Sequence, residues 1–377
     1  MPKQTKILII VLVGVVVLIS GFYIYNKLLI PKKTSISEKL RTREQPIIPE
    51  ETGPKLIVSA PVAIETVAYK PSLFNVLIEN EKGYQEAKDV NITLRGIIGT
   101  VSLSYVNISQ GESKNFEVKL DGLEPGDYTL YLDINGKPDI NISKTILIKS
   151  QIVVGLDGYH LFSDIWKGEK GEYSEADFVK YLNENNIKTT IIDSKFSSEI
   201  LEKLNVLIVE TPEQPFSSIE KQELRNFLNK KGGLLLVGAH SVFGSEEKFV
   251  AFLNDLADSF HLEVKFARSS QYIPAGWTKE ITKHPVTSGV EEVWCRSGYP
   301  LEIDIPMIPL VKREGGTIYA VQQYAKGKIG IIRDADALRI SPLTSYEPEC
   351  PQCNRLNLNL IKWLATPPTA KELEEMG

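Results

Sequence analysis

The sequence lacks an excess of positive charge. Its 43 lysine and arginine residues are outnumbered by 48 aspartate and glutamate residues, and the formal net charge is -5. A nucleic-acid-binding surface requires lysine and arginine clustered on one face. We therefore expect no nucleic-acid partner.

Cysteine is also scarce, with three residues in the chain, and only Cys350 and Cys353 are close together, in a C-x-x-C pattern. A structural zinc site needs four ligands, which Cys295 and scattered histidines would have to complete. A thioredoxin-like redox pair lies at a helix start early in a βαβ unit, whereas this pair comes late, although it precedes a helix. A local disulfide is our first prediction, and metal binding and redox chemistry remain alternatives.

One long uncharged apolar run is present, from Ile7 to Tyr25. About 20 apolar residues are enough to cross a bilayer as a helix. A cleaved signal peptide would have a shorter apolar region and a small-residue cleavage site. We predict an uncleaved single-pass anchor at residues 1–26, in contact with membrane lipid, followed by a proline-containing linker at 27–54.

The side of the membrane is predicted from two opposing observations. Lys3 and Lys6 precede the apolar run and six basic residues follow it within residues 27–43, which by the positive-inside rule favours a cytoplasmic chain. Long domains nevertheless translocate whatever the flanking charge. A β-sandwich behind an amino-terminal anchor is a common exterior arrangement, so we expect the bulk of the chain outside the cell membrane.

Residues 55–150, the sandwich segment, show short alternating runs separated by turn residues. About seven strands in this length are typical of an immunoglobulin-like β-sandwich. Turns are predicted at several places, including Asn135-Gly136. The stretch Leu123–Leu130 (LEPGDYTL) resembles the penultimate hairpin of CARDB-like modules, which implies a spacer or a protein-contact surface. Three N-x-S/T sequons, at Asn91, Asn107 and Asn141, are candidate glycosylation sites in an exterior domain.

Residues 151–366, the α/β segment, have a different periodicity, and residues 367–377 form a tail. Short apolar runs alternate with amphipathic helical patterns, and Ser217-x-x-Glu220 has the spacing of a helix capping box. This alternation predicts a mostly parallel, doubly wound, flavodoxin-like sheet, with Leu234–Val237 as its central strand. Towards the carboxyl terminus the segment becomes rich in strands.

Polar or small residues directly follow four of the predicted strands. Ligands of open α/β sheets bind at the carboxyl ends of the strands, so these residues are expected at one edge. An acid, a base and a second carboxylate there would suit hydrolysis or one divalent metal. The alternative is that each aspartate caps the next turn. The ligand-binding candidates are Asp157, Gly158, Glu210, Gly238, His240, Asp334 and Asp336, and the catalytic candidates are Asp157, His160 and His240.

The order of these motifs indicates a family. Leu156–His160, the helix that feeds Leu234–Gly238, the His284–Val290 stretch and Lys326–Asp336 with its following helix resemble class I glutamine amidotransferase-like domains. Domains of this kind occur in membrane-anchored prokaryotic proteins. In active members the turn after the central strand carries the nucleophilic cysteine, whereas here it holds Gly238, Ala239 and His240. The resemblance therefore implies a catalytically degenerate domain with a binding or scaffolding role.

We expect a membrane-anchored, non-enzymatic cell-surface protein that binds a partner or a small ligand without a cofactor. The partner would be another membrane or surface protein. The competing hypothesis is a hydrolase of cell-surface carbohydrate or peptide that uses Asp157, His160 and His240.

Overall fold

The computed structural model describes residues 53–161, 176–238, 246–266, 272–338, 349–370 and 372. All of them belong to one compact unit. Within these ranges, none of the helices combines the length and apolar character that spanning a membrane requires. The predicted anchor at 1–26 and all but the last two residues of the predicted linker lie outside the described residues.

The sandwich segment contains two β-sheets. One has the strand order β1-β3-β7-β5, and the other contains β2, β9, β8, β4 and β6 as successive neighbours. The strands are β1 (Leu56–Ser59), β2 (Ala63–Val67), β3 (Ser72–Asn80), β4 (Ala87–Arg95), β5 (Gly99–Val101), β6 (Val106–Ile108), β7 (Ser113–Leu120), β8 (Gly126–Lys137) and β9 (Ile140–Asp157).

Alternate residues of both sheets meet in one apolar core. Val76 and Ile78 of β3 share this core with Leu130 and Leu132 of β8 and with Phe116 of β7, and all are fully buried. The two-residue period follows from the pleat of a strand. The predicted β-sandwich is present, whereas its assignment to an immunoglobulin-like or CARDB-like class has no support beyond the sequence.

One predicted turn is wrong. Asn135 and Gly136 lie inside β8, which continues to Lys137, and the chain reverses at Pro138 and Asp139. Asp139 has a φ of 47°, in the left-handed region. Proline lacks an N–H and aspartate tolerates left-handed backbone, so this pair ends the ladder more readily than Asn-Gly does here.

The strand β9 belongs to both segments. Its first part, up to Ser150, pairs antiparallel with β8. Its last part, Ile152–Asp157, pairs in parallel with strands of the α/β segment. Residue 150, where we predicted a domain boundary, therefore lies within one continuous strand, and the division into two domains stays a prediction.

The α/β segment adds eleven strands and five α-helices in the described residues. The helices are α1 (Ala176–Glu184), α2 (Ser198–Leu201), α3 (Ser218–Asn229), α4 (Glu246–Ser259) and α5 (Pro351–Ala365). The strands are β10 (Ile187–Ile192), β11 (Val206–Glu210), β12 (Gly233–Val237), β13 (Val264–Phe266), β14 (Gly276–Thr278), β15 (Glu280–Ile281), β16 (Val293–Cys295), β17 (Leu301–Ile303), β18 (Ile308–Arg313), β19 (Gly316–Tyr324) and β20 (Gly327–Ile332).

The centre of this segment is a parallel sheet in the order β10-β9-β11-β12-β20. Side chains of α1 and α5 pack on one face, and side chains of α2, α3 and α4 pack on the other. Beyond β20 the sheet continues with antiparallel strands. The prediction of a doubly wound sheet is corrected accordingly. The segment is sheet-rich, because the chain from Gly276 to Tyr324 contains six strands, β14 to β19, all paired antiparallel, where a doubly wound fold would place helices.

A buried asparagine ties the end of β2 to the α/β segment. The Asn205 side chain donates from Nδ2 to the carbonyl oxygen of Ala68 at 2.6 Å and accepts at Oδ1 from the N–H of Val153 at 2.8 Å. Nearby, Lys70 Nζ donates to the carbonyl oxygen of Glu202 at 2.7 Å, just beyond α2. These contacts join residues that are more than 50 positions apart in the sequence.

The exchange Asn205→Leu tests this joint. It leaves the Ala68 carbonyl and the Val153 N–H without their side-chain partner, and we expect the free energy of unfolding to fall by about 2–4 kcal/mol. Urea denaturation of the full-length chain measures the change. The control Asn115→Leu alters an exposed asparagine of β7 and should change stability by less than about 0.5 kcal/mol. Equal effects of the two exchanges would contradict a role for Asn205 in the joint.

Lys70 gives the joint a pH dependence. Burial lowers the pKa of Lys70 from 10.5 to about 8, so between these values the unfolded chain holds a proton that the folded chain has lost. Stability contributed by this group therefore rises with pH between about 8 and 10.5. We expect that rise to be missing from Lys70→Met and retained in Lys144→Met, which alters an exposed lysine of β9. Parallel curves of unfolding free energy against pH for the wild type and Lys70→Met would contradict it.

Candidate functional site

The carboxyl ends of the parallel strands form one edge of the sheet. Asp157 ends β9, Glu210 ends β11, Gly238 follows β12 and Asp334 lies two residues beyond β20. Neighbouring strands lie about 4.8 Å apart, and β11 and β12 separate β9 from β20, so Asp157 and Asp334 are roughly 14 Å apart along the edge. The candidates therefore fall into two groups, which cannot bind one metal ion together.

The first group is centred on His160. Its Nδ1 lies 3.1 Å from each carboxylate oxygen of Asp157, and its backbone N–H donates to Asp157 Oδ1 at 3.1 Å. On the other side of the ring, Nε2 lies 3.3 Å from Glu220 Oε1. The imidazole is thus held between two carboxylates, and the side chains of Asp157 and His160 are 0% exposed.

Glu220 is the member of this group that sequence reasoning did not assign to the site. It lies in the first turn of α3 as part of the predicted capping box, where its Oε2 accepts from the N–H of Ser217 at 3.1 Å and from Ser217 Oγ at 2.7 Å. Burial raises the pKa of Glu220, but the hydrogen bonds from Ser217, the electrostatic interaction with His160 and the N–H of Phe196 outweigh it and lower the pKa overall.

Aromatic side chains close off the rest of the His160 ring. The ring centroid lies 4.2 Å from that of Phe216, 5.0 Å from that of Phe196 and 5.1 Å from that of Tyr159. With a carboxylate within 3.3 Å of each ring nitrogen and aromatic rings around it, the His160 side chain is enclosed by the described residues in this conformation. The arrangement links the end of β9 to the start of α3.

Gly158 directly follows Asp157 at the end of β9, and Glu210 ends β11, the strand between β9 and β12. The N–H of Gly158 donates to the carbonyl oxygen of Ile192 at 3.0 Å and continues the pairing of β9 with β10. Glu210 is 2% exposed at the end of β11, opposite Val237 of β12. His240 and the rest of residues 239–245 lie outside the described residues, so its role stays a prediction.

The second group lies beyond β12 and β20. Asp334 caps the short helical turn Ala335–Ala337 by accepting from the N–H of Asp336 at 2.9 Å, as the capping alternative predicts. Asp336 Oδ2 forms an ion pair with Arg296 Nη1 at 2.5 Å. Gly238 donates to Ile332 and accepts from Ala335, both at 2.9 Å, and a Cβ at Gly238 would collide with the backbone oxygen of Arg333. Glycine is required there by close packing of two strand ends.

Arg333 belongs to this second group and was also missed by sequence reasoning. It follows β20 directly, is 7% exposed, and donates from Nη2 to the carbonyl oxygen of Arg296 at 2.6 Å. Its Nε and Nη1 are buried without an acceptor among the described residues. No sequence pattern indicates that an arginine after an apolar strand is buried, because its long side chain more often reaches solvent.

The cysteines resolve into one disulfide and one thiol. Cys350 and Cys353 form the predicted local disulfide, with their Cα atoms 5.3 Å apart, at the start of α5. Cys295 is a buried free thiol, and burial raises its pKa to about 11. In the ranges that the structure describes, no cluster of three or more His, Cys, Asp or Glu residues is arranged to hold a metal ion.

The three sequons have different surroundings. Asn107 and Asn141 are exposed, whereas Asn91 is half-buried and donates to the carbonyl oxygen of Asp89 at 3.3 Å. Asn107 already accepts at Oδ1 from the N–H of Asp89 at 3.0 Å. Asn141 is the most accessible of the three, because it is exposed and the hydrogen bonds above involve the side chains of Asn91 and Asn107. Glycosylation of any of them stays a prediction.

No protein-family model and no curated protein matches this chain. Similar solved structures include the mmIFT52 N-terminal domain, with 14% identity and a TM-score of 0.43 over 56% of this chain and 97% of that one. A GMP synthase-like protein from Thermoplasma acidophilum has 10% identity and a TM-score of 0.36, over 60% of this chain and 98% of that one. A ThuA-like protein from Bacteroides uniformis has 14% identity and a TM-score of 0.37, over 57% and 91%. The last two are amidotransferase-like folds, and at these scores they establish no family for this chain.

The exchange His160→Asn tests whether His160 is structural. It removes the group that links two buried carboxylates, and we expect the free energy of unfolding to fall by about 3 kcal/mol. The control His261→Asn alters an exposed histidine at a left-handed position, φ 53°, which asparagine tolerates. Denaturant unfolding of both variants measures the difference. A stable His160→Asn protein that had lost a ligand or an activity would instead show that His160 acts on a substrate.

Proposed function

We propose that this chain is a membrane-anchored, non-enzymatic protein whose degenerate amidotransferase-like domain binds a partner protein or a small ligand at the carboxyl-end edge of its sheet. The observation that carries the proposal is the enclosure of Asp157 and His160, whose side chains are 0% exposed. General acid–base catalysis requires a side chain within hydrogen-bonding reach of the substrate. These two residues are instead joined to each other and to Glu220.

The nucleophile of an amidotransferase is also missing from its expected place. Gly238 follows β12, and Ala239 and His240 come next in the sequence, so no cysteine stands at this place to supply a thiolate. Cys295, the free thiol in the described residues, is buried and has a pKa of about 11. A reactive cysteine has a lowered pKa and partial exposure, so Cys295 is a poor candidate for this chemistry.

The membrane location is proposed from residues 7–25, whose apolar length suits a single span anchored in lipid. The disulfide between Cys350 and Cys353 supports an extracytoplasmic position for the bulk of the chain, because disulfides persist mainly in oxidising compartments. A surface location in turn favours another membrane or surface protein as the partner.

Turnover and binding assays on the full-length chain separate this function from the hydrolase hypothesis. We expect no turnover of amide, peptide or glycoside substrates, together with stabilisation against thermal unfolding by at least one sugar, nucleotide, metal ion or peptide or by a captured surface partner. A ligand at 100 times its Kd should add about 2.7 kcal/mol to the unfolding free energy. Sustained hydrolysis that is abolished by His240→Ala and retained in His261→Asn would overturn the proposal in favour of a hydrolase.

A further inference from the structure

A two-stranded ribbon covers part of the α/β segment on the side of β18 and β20. It consists of β14 and β16, and a bridge between Ile273 and Gly298 extends the same register. Ile273, Gly276, Cys295 and Gly298 of this ribbon are all buried. Two arginines pack beneath this ribbon.

Each arginine packs against a glycine of the ribbon. A Cβ at Gly276 would lie 2.6 Å from Cζ of Arg313, and a Cβ at Gly298 would lie 3.4 Å from Cζ of Arg333. Gly276 is paired directly with Cys295, and Gly298 follows Cys295 by three residues, so the two glycines are roughly 10 Å apart along the ribbon. The absence of a side chain at Gly276 makes room for the Arg313 guanidinium, and the Arg333 guanidinium lies at van der Waals distance from Gly298.

Both guanidinium groups have buried nitrogen atoms without acceptors. Arg333 is 7% exposed and the Arg313 side chain is 13% exposed. In each of them Nε and Nη1 find no hydrogen-bond partner within the part of the chain that the structure describes. A buried polar group without a partner is costly, and a buried charge is costlier still unless an opposite charge lies nearby.

The nearby carboxylates are committed to other groups or are exposed. Asp334 caps the turn at residues 335–337, and Asp336 is paired with Arg296. Glu314 Oε1 lies 3.5 Å from Arg313 Nη2, but its side chain is 49% exposed. The requirement left unmet beneath the ribbon is therefore for hydrogen-bond acceptors at Nε and Nη1 of each arginine.

Arg313 and Arg333 both interact electrostatically with the buried thiol of Cys295. Burial raises the pKa of the Cys295 thiol, and Arg333 and Arg313 both act in the opposite direction. Each guanidinium is thus within electrostatic range of one buried sulfur atom. The combined field favours a negatively charged group between the ribbon and the end of β20.

We propose that Arg333, supported by Arg313, binds a small oxyanion beneath this ribbon, either a free phosphate or sulfate ion or the carboxylate or phosphate group of a ligand. The N–H groups of a guanidinium form a planar fork that matches the oxygen atoms of such anions. Arg333 directly follows β20, so the site adjoins the carboxyl-end edge. The inference rests on the proposed function and specifies an anionic group as the ligand class for that edge.

Titration of the full-length chain with inorganic phosphate, sulfate and acetate, at ionic strength held constant with chloride, tests the proposal. At least one of the three should raise the midpoint of thermal unfolding with saturation, and calorimetry should give the same affinity. Phosphate or sulfate binding without acetate binding identifies a tetrahedral anion, and acetate binding identifies a carboxylate. We expect Arg333→Met to lose at least tenfold in affinity and Arg313→Met to lose less.

A second measurement compares the unfolding free energies of the wild type and Arg333→Met, with and without oxyanion. Without an oxyanion, Arg333→Met should be at least as stable as the wild type, because it removes a buried cation whose donors have no partner. With saturating oxyanion the wild type should become the more stable protein. Arg333→Lys keeps the charge without the fork and should bind weakly. Arg355→Met is the matched control, since Arg355 donates to the Gly289 carbonyl at 2.9 Å from an exposed position and should leave binding unchanged.

Two results would overturn this inference. The first is the absence of saturable stabilisation of the wild-type chain by any of the three anions. The second is equal binding by the wild type and Arg333→Met, or by the wild type and Arg333→Lys if the methionine variant does not fold. The proposed function fails on a different result, namely substrate turnover. That result comes from the hydrolysis assays and is independent of these titrations.

Discussion

The continuous hydrogen bonding of β9 is the constraint on which the structure depends. This strand is paired with β8 and β2 in its first part and with β10 and β11 in its last part. Its even-numbered residues point to the same side throughout. Ile146 and Ile148 enter the sandwich core, and Val154 and Leu156 enter the core beneath α1 and α5. The two sheets are thereby aligned by backbone pairing, and Asn205 and Lys70 add side-chain contacts at the same joint.

The chemistry of the sheet edge follows from how its charges are compensated. At the β9 end, one imidazole lies between two carboxylates, and the capping serine supplies further hydrogen bonds. At the β20 end, Asp334 and Asp336 are used by a turn and by Arg296. His160 Nε2 makes no well-aligned hydrogen bond but lies 3.3 Å from Glu220 Oε1, whereas Nε and Nη1 of Arg333 have no acceptor among the described residues. The sequence suggests an acid–base site at this edge, but the clearest unsatisfied hydrogen-bonding groups there are the guanidinium nitrogens of Arg333.

Local patterns in the sequence predicted much of the fold. Alternating apolar residues identified β3 and β7, and Ser217-x-x-Glu220 identified the start of α3, because both signals depend on neighbours within a few residues. The pairing of Cys350 with Cys353 was predictable for the same reason. The sheet-rich carboxyl-terminal part was only partly anticipated, since strands of two or three residues are too short to show a period.

The composition of the site was less predictable, since it depends on contacts between distant residues. His160 and Glu220 are sixty positions apart and meet only because β9 and α3 lie side by side in the fold. Arg333 gives no local signal of its burial, because the residues that cover it, among them Gly298 of the ribbon, are distant in the sequence.

The double membership of β9 also limits how this chain can change during evolution. Side chains alternate along a strand, so one residue inserted near Ser150 would turn either Ile146 and Ile148 or Val154 and Leu156 away from their cores. Insertions at this point are compatible with both cores only in pairs. An exchange of the sandwich or of the α/β segment at this junction must therefore preserve the alternation of side chains along β9.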